Sequence, residues 1–510
     1  MASLLAPVYN YLSLGNVFLL LLLLFLLHYL MVLYEFRNMP PGPRLTTLPV
    51  LGNTFSLDHK AERFPETFRS LRDKYNGIFS VKLGSFKALM ASSSEAVKEV
   101  LVKKSADYAG RPQMHVFYES TLGGKDIVFG QGPAWKFYRK LFTTALRQYL
   151  SNSPLIEQRV TTQNNKLVKV IEKQAGKPFD PSDCLQRSVA DVICGITFKD
   201  GTDTTNPDMD ELLKLNVMFA ASADDAQLAL VLNFFSWARH LPINGSDRII
   251  QLFFKMHDII RKLLRERKET FDPTEPVEDF MSALLKAQHD FEEECENAEE
   301  RSTLLSEDHF IAAIEDMFFA GYETTSTILR FALAFLANNP KYQEEIQHQL
   351  DEVLGSRRPS LDDRPKLPLI QATILEVLRL GNVLPLAVPH VAVNDTTLGG
   401  YRVPKGTVVY PNTEAVHLDP KCWENPTVFN PYRHIDAEGK LITNQGNFYP
   451  FGAGRRSCAG ESLAKVELFL FSSWLLQSFT FVPEDGHPPK PKAGLVQFPS
   501  SYTIRAIKRK

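Results

Sequence analysis

The stretch FGAGRRSCAGE, residues 451–461, sets one cysteine between a pair of arginines and two small residues, about fifty residues before the end of the chain. Three glycines, Gly452, Gly454 and Gly460, let the backbone approach something large and flat and free its amide groups to donate. Arg455 and Arg456 bring cations toward the sulfur of Cys458, and cations favour thiolate over thiol. Phe451 can shield one side. The residues that follow, ESLAKVELFLFSSWLLQSF, carry a helical pattern, so the sulfur stands just ahead of a helix start, where the helix dipole also favours an anion.

The rest of the chain narrows what such a sulfur can serve. There are 510 residues with a formal net charge of −2. That balance supplies no basic field for nucleic acid. The five cysteines are odd in number, sparse and without a CxxC pair, which argues against a disulfide framework or a zinc site. From Ala2 to Tyr34 there is no Lys, Arg, Asp or Glu, and about 20 apolar residues suffice to cross a bilayer. Arg37 and Arg44 follow on its C-terminal side, and such charge stays cytosolic. We therefore expect an uncleaved transmembrane anchor over 1–35 with everything after it cytosolic. A stiff spacer follows over 36–53, where Pro40, Pro41, Pro43 and Pro49 exclude helix, and one catalytic body over 54–510.

Within that body the periodicity predicts mostly helix with small β-sheets. Residues 75–92 alternate around a glycine and read as a hairpin, and Ser94 is a cap candidate for the helix after it. Residues 388–412 read as short strands broken by Gly-Gly and Pro-Lys-Gly turns. The acidic stretch 286–305 reads as an exposed mobile loop. The longest helix candidate opens at Ser306 and runs to Pro340, roughly 50 Å at ~1.5 Å per residue. It is apolar on nearly every side, which predicts a central, buried position.

Four motifs lie on this frame. The pattern FGAGRRSCAG resembles the haem-binding signature of the cytochrome P-450 family, F-x-x-G-x-R-x-C-x-G. AGYETT, residues 320–325, is similar to that family's oxygen-activation motif. Independently of the family, Gly321 weakens the helix ladder, and a backward bond from Thr324 can open a local bulge. EVLR, residues 376–379, places Glu376 and Arg379 one turn apart, and FNPYRH adds Arg433. The usual aromatic after that arginine is His434 here, a departure expected to alter packing rather than chemistry. WKFYR sets Trp135 and Arg139 on one helix face.

The resemblance covers the chain from the anchor to about residue 500 and implies the fold of that family, built around one long helix. It implies haem b with Cys458 as axial iron ligand. Phe451, Gly454, Gly460, Trp135, Arg139, His390 and Arg456 would border the haem, the last four meeting its propionates. Glu376, Arg379 and Arg433 would form a buried ion cluster behind it, and Glu323 and Thr324 would relay protons.

The implied reaction is insertion of one oxygen atom from O2 into an apolar substrate, with electrons from NADPH through a flavoprotein reductase and cytochrome b5 as a further partner. Lys136, Arg139, Lys140, Arg455 and Lys465 could form the basic docking patch. The implied location is the endoplasmic reticulum membrane. DYAGRP, GKDIVFGQGPAWKFYRKLFTTAL and NPYRHID bring the chain nearest to the microsomal group that includes steroid 17α-hydroxylases. A steroid or sterol-like substrate is the first expectation, and a planar aromatic, xenobiotic or fatty one the second. The pocket is expected from residues 111–124 and 217–232, Phe319, Ala320, Val388, Leu495 and Val496. A reductase-independent haem-thiolate isomerase would lack the acid-Thr pair, which is present. A non-catalytic carrier would not need the oxygen-handling positions.

Overall fold

The computed structural model describes residues 14–49, 51–54, 64–84, 86–151, 153–198, 202–221, 244–294, 304–442, 445–484, 486, 488–492 and 496–509. The fold is mostly helical with small sheets. Its axis is the helix Glu307–Ala337, 31 residues long and buried along most of its length. Acids in its first turn, Glu307 and Asp308, oppose the positive end of the helix dipole. Ser306 occupies the cap position, but its hydroxyl bonds to His309 Nδ1 at 2.7 Å instead of a backbone amide. Phe310, Phe318, Phe331, Phe469, Phe471 and Trp474 are fully buried around this axis. Helices Ser182–Thr197, Asn244–Thr270, Pro368–Gly381 and Glu461–Ser478 surround it. Ser182–Thr197 approaches closely at Gly321, where an added Cβ would stand 2.9 Å from Ile193 Cδ1 and force that side chain to move.

The main sheet has four strands in the order β1-β2-β6-β3, with β1 Ile78–Leu83, β2 Phe86–Ala91, β3 His390–Val391 and β6 Val408–Pro411. β1 and β2 form the expected antiparallel hairpin, and β2 runs parallel to β6. Strands also occupy the Gly-Gly segment, as β4 Thr396–Leu398 paired with β5 Tyr401–Val403. The helix after the hairpin is capped by Ser93, whose side chain accepts from Ala96 N; Ser94 is already inside the first turn. The acidic stretch differs from expectation in its first half. The helix Phe280–Glu294 continues through it, because Phe280, Met281, Leu284 and Leu285 bury one end in the core. Residues 295–303 lie outside the described set.

One further helix, Leu14–Glu35, precedes the body. It is long and apolar enough to cross a membrane. Its leucines are about half exposed, while Val32, Phe36 and Met39 at its base are buried against the sheet layer. His28 Nε2 lies 3.0 Å from Thr47 O, and Arg44 donates to Pro40 O and to Ser80 O and Oγ. The proline segment is thereby tied to both the helix and the hairpin.

Candidate functional site

The loop before Glu461–Ser478 holds Cys458 through a bond from its own N–H to Phe451 O at 2.8 Å. Gly452 and Gly454 take φ of 66° and 69°. At 454 the need for glycine comes from the chain itself: a Cβ would stand 2.0 Å from Leu101 O and 2.7 Å from Ser105 Cβ. A Cβ on Gly460 would meet the Cys458 sulfur at an ordinary 3.9 Å. Phe451 is half-buried, with Lys465 Nζ 5.5 Å from its ring centroid.

Cys458 is exposed, yet desolvation by the surrounding protein pushes its thiol pKa up. Both hold for a sulfur facing an opening in an otherwise dense part of the fold. The N–H groups of Gly460 and Glu461 oppose that shift, and so does a nearby cation. That cation is Arg139, not Arg455 or Arg456 as the local sequence suggests. Arg139 reaches over from the helix Gly132–Ser151 and donates through Nη2 to Ser457 O.

Arg456 turns the other way. It donates through Nε to Ala109 O and through Nη2 to Gly130 O, both at 2.8 Å. Its guanidinium lies 3.6 Å from the centroid of the Trp135 ring. The Trp135 N–H is committed to Ile127 O at 3.0 Å, so this tryptophan acts as a platform for the arginine. Arg456 Nη1 is buried with no hydrogen-bond partner among the described residues. Burial and Arg139 lower the Arg456 pKa to about 10.

Arg111, which sequence reasoning placed only in a pocket-lining loop, completes the group. It is buried and donates to Val128 O, Val388 O and Pro389 O. Burial, with Arg456 and Arg139 nearby, holds its pKa well below the ordinary range. His390 donates through Nδ1 to Tyr108 O at 2.7 Å. Burial and then Arg111 lower its pKa to about 3, which leaves Nε2 as the lone-pair nitrogen. Several cations thus gather near one another, and the acid acting on Arg111 and Arg456 is Asp126. Asp126 is itself buried, and desolvation pushes its pKa up to about 7. Buried cations need anions. The arrangement fits a group that presents carboxylates here and a metal to the sulfur, as haem does.

On the central helix, Thr324 Oγ1 donates to Ala320 O at 2.7 Å. The expected bulge is absent, and the helix runs unbroken from Glu307 to Ala337. Ala320 is exposed in the middle of this buried helix, with Gly321 and Thr324 half-buried beside it. Glu323 is buried, its Oε2 without a hydrogen-bond partner among the described residues. Desolvation raises its pKa, opposed by Arg330 and Tyr322.

Glu376 is fully buried with four donors on its two oxygens. Arg379 binds both at 2.8 Å, Arg433 Nε binds Oε1 at 3.0 Å and Asn430 N binds Oε1 at 3.0 Å. The fourth is His434, whose Nε2 lies 3.0 Å from Oε2. His434 is therefore a member of the cluster rather than a packing substitute. Desolvation works against the carboxylate, but Arg379 and His434 outweigh it and lower the Glu376 pKa to about 2.

Lys136, Lys140 and Arg455 are exposed. Lys465 is engaged with Glu461 at 2.6 Å. Of the expected pocket residues, Phe319 packs edge-on against Phe219, and Val388 and Val496 are half-buried. Residues 222–232 and Leu495 lie outside the described set.

A family model described as Cytochrome P450 matches residues 40–506. A steroid 17-alpha-hydroxylase/17,20 lyase of Oryzias latipes is 37% identical over 481 residues, covering 92% of each chain. A protein of the same name from Squalus acanthias is 33% identical over 91% of each chain. Cytochrome P450 2J2 of Homo sapiens is 33% identical over 92% of this chain and 91% of that one.

Proposed function

This chain belongs to the cytochrome P450 family, is an oxidoreductase of the monooxygenase class, and on that premise we propose that it oxidises a steroid or sterol-like substrate at a haem held by Cys458. One observation carries the haem-binding part of this reading: near Arg111, Arg139 and His390, Arg456 Nη1 is buried with no hydrogen-bond partner among the described residues. Desolvation disfavours a free thiolate at Cys458, and a coordinating metal ion reverses that penalty, since a metal-bound thiol is deprotonated outright.

When bound, haem supplies the activation of O2, and a thiolate ligand favours O–O cleavage. The protein's own part is binding, orientation and proton supply. Arg456, with Arg111 and Arg139, would hold the haem carboxylates, and His390 would join them once a neighbouring carboxylate favours protonation of its Nε2. Gly460 and Glu461 N–H groups steady the sulfur. Burial raises the pKa of the Glu323 carboxyl, which favours the form that can give a proton. Thr324 bonds to Ala320 O and keeps its hydroxyl lone pairs free to accept from a water. Together they pass protons toward the space bordered by Ala320.

The steroid assignment is supported by the printed activity of several relatives and by apolar Phe319 and Val388 among the pocket candidates. The exposed Lys136, Lys140 and Arg455 fit docking of an acidic flavoprotein reductase that delivers electrons from NADPH, with cytochrome b5 as an accessory donor. The N-terminal helix fits a single-pass anchor in the endoplasmic reticulum, with residues 54–510 facing the cytosol.

The test combines a reduced CO difference spectrum, NADPH consumption with added reductase, and a panel of steroids, planar aromatics and fatty acids screened for a spin-state shift of the haem spectrum. A thiolate-type CO band with steroid-dependent NADPH use and a hydroxylated product is expected. No CO band overturns the haem assignment. A shift confined to aromatics or fatty acids overturns the steroid assignment alone. A CO band without NADPH turnover points to an isomerase or a carrier.

A further inference from the structure

A cleft of about 780 Å³ lies where the N-terminal helix meets the sheet layer. One wall is the exposed helix face Leu27, Leu30, Met31 and Tyr34. The other end is charged, with Arg37, Lys82, Lys87 and Arg402 lining it and Glu35 as the one lining acid. Lys82 and Lys87 stand directly opposite each other across the β1/β2 hairpin, an arrangement that repels unless an anion is shared. Glu35 supplies a single carboxylate to both, at 2.8 Å to Lys82 and 3.4 Å to Lys87. Arg402 is paired with Asp395 at 2.9 Å, outside the cleft lining. Arg37 lies over the Tyr34 ring at 3.9 Å and has no ion pair among the described residues. The lining therefore carries a surplus of positive charge, at the very end of an apolar helix.

From this geometry we propose that the cleft binds an anionic phospholipid, its phosphate between Lys87, Arg37 and Arg402 and its acyl chains along Leu27, Leu30 and Met31. The inference rests on the reading of Leu14–Glu35 as a membrane anchor. If that helix spans, its Glu35 end lies at headgroup depth, and the same cleft joins hydrocarbon to interface. A neutral zwitterionic lipid brings its own cation and gains little from the surplus. A free phosphate would leave the apolar wall without an occupant.

The test uses the full-length holoenzyme in phosphatidylcholine nanodiscs. They are doped with a photoreactive-acyl phosphatidylglycerol or, in a parallel arm, with the same probe carrying a choline headgroup, and crosslinks are mapped by peptide mass spectrometry. Wild type is expected to label residues 27–39 about tenfold more with the anionic probe. Lys87→Glu with Arg402→Glu should bring the two probes to parity while disc insertion is unchanged. Should that pair fail to fold, Lys87→Gln alone should cut the preference about fivefold, the worth of one cation near a membrane surface. Equal labelling by both headgroups in wild type overturns the proposal, as does a preference that survives the substitutions. Loss of the preference on adding excess inorganic phosphate, at constant ionic strength, overturns it in favour of a free-anion site. Failure of wild type to insert into discs of either composition overturns the anchor reading and this site with it.

Discussion

His434 Nε2 sits 3.0 Å from Glu376 Oε2, with both side chains fully buried and 58 positions apart in the chain. The bond brings a histidine into a carboxylate cluster otherwise made by two arginines and one backbone amide. His434→Phe should keep the fold and cost about 1–3 kcal/mol, the scale of a bond to a charged group together with the desolvated acceptor it leaves. Thermal unfolding checks this. An unchanged midpoint would mean that His434 fills space only.

Glu376→Gln should be more severe, on the order of 3–5 kcal/mol, because it strands two buried guanidinium groups. The pH dependence has a defined sign. The Glu376 pKa is lowered from 4.5 to about 2, so its contribution is fully present above pH 4.5 and lost as pH falls toward 2. Wild type should lose stability across that window more steeply than the Gln variant. Parallel pH profiles would contradict the assignment.

Asp126 gives the opposite sign. Its pKa is raised from 3.8 to about 7 by burial, with Glu315 adding repulsion and Arg111 opposing it. The folded state then holds a proton that the unfolded chain has released, and stability falls as pH rises from about 4 to 7. Asp316, half-buried on the central helix, is shifted in the same direction by desolvation and by the charge of Asp126. Asp126→Asn should flatten the fall in melting temperature between about pH 4 and 7. A slope equal to wild type would place the proton elsewhere.

Thr324→Ala removes the one side-chain hydroxyl bonded to Ala320 O and leaves the Cys458 loop untouched. Haem content and the CO spectrum should stay normal. Product formation should drop about 10²-fold, the lower scale for a positioned proton donor, with NADPH still consumed. Product yield per NADPH is the measurement.

Arg456→Leu removes the guanidinium whose Nη1 lacks a partner among the described residues. Charge-assisted bonds to carboxylates are about twice as strong as neutral ones. The variant should release haem to a scavenger protein at least about tenfold faster than wild type. Equal rates would show that Arg456 serves the fold through Ala109 O and Gly130 O alone.

The central helix, the hairpin and the helix after Cys458 were legible because each is a local pattern of apolar spacing or alternation. The pairing of Glu376 with Arg379 follows from a spacing of three on a helix. What stayed hidden depends on contacts across the chain. The cation beside Cys458 is Arg139, whose partner Ser457 is 318 positions away, while Arg456, nearer in sequence, turns to Ala109 O and Gly130 O. Arg111 read as a pocket-loop residue and Asp126 carried no reading of its own, since burial of a charge leaves no periodic trace. His434 read as a packing change because only the fold shows which acid it meets. The helical start of the acidic stretch was missed because its charge outweighed four core residues at the beginning.

The turn 126–130 joins several of these parts. Its carbonyls receive Trp135, Arg111 and Arg456, and the Ile127 N–H donates to Asp316 Oδ2 at 2.6 Å. Five residues thus rivet the long axis of the molecule to the arginine just ahead of the cysteine. A substitution that displaces this turn should therefore disturb Arg456 and the Asp316 region of the central helix together.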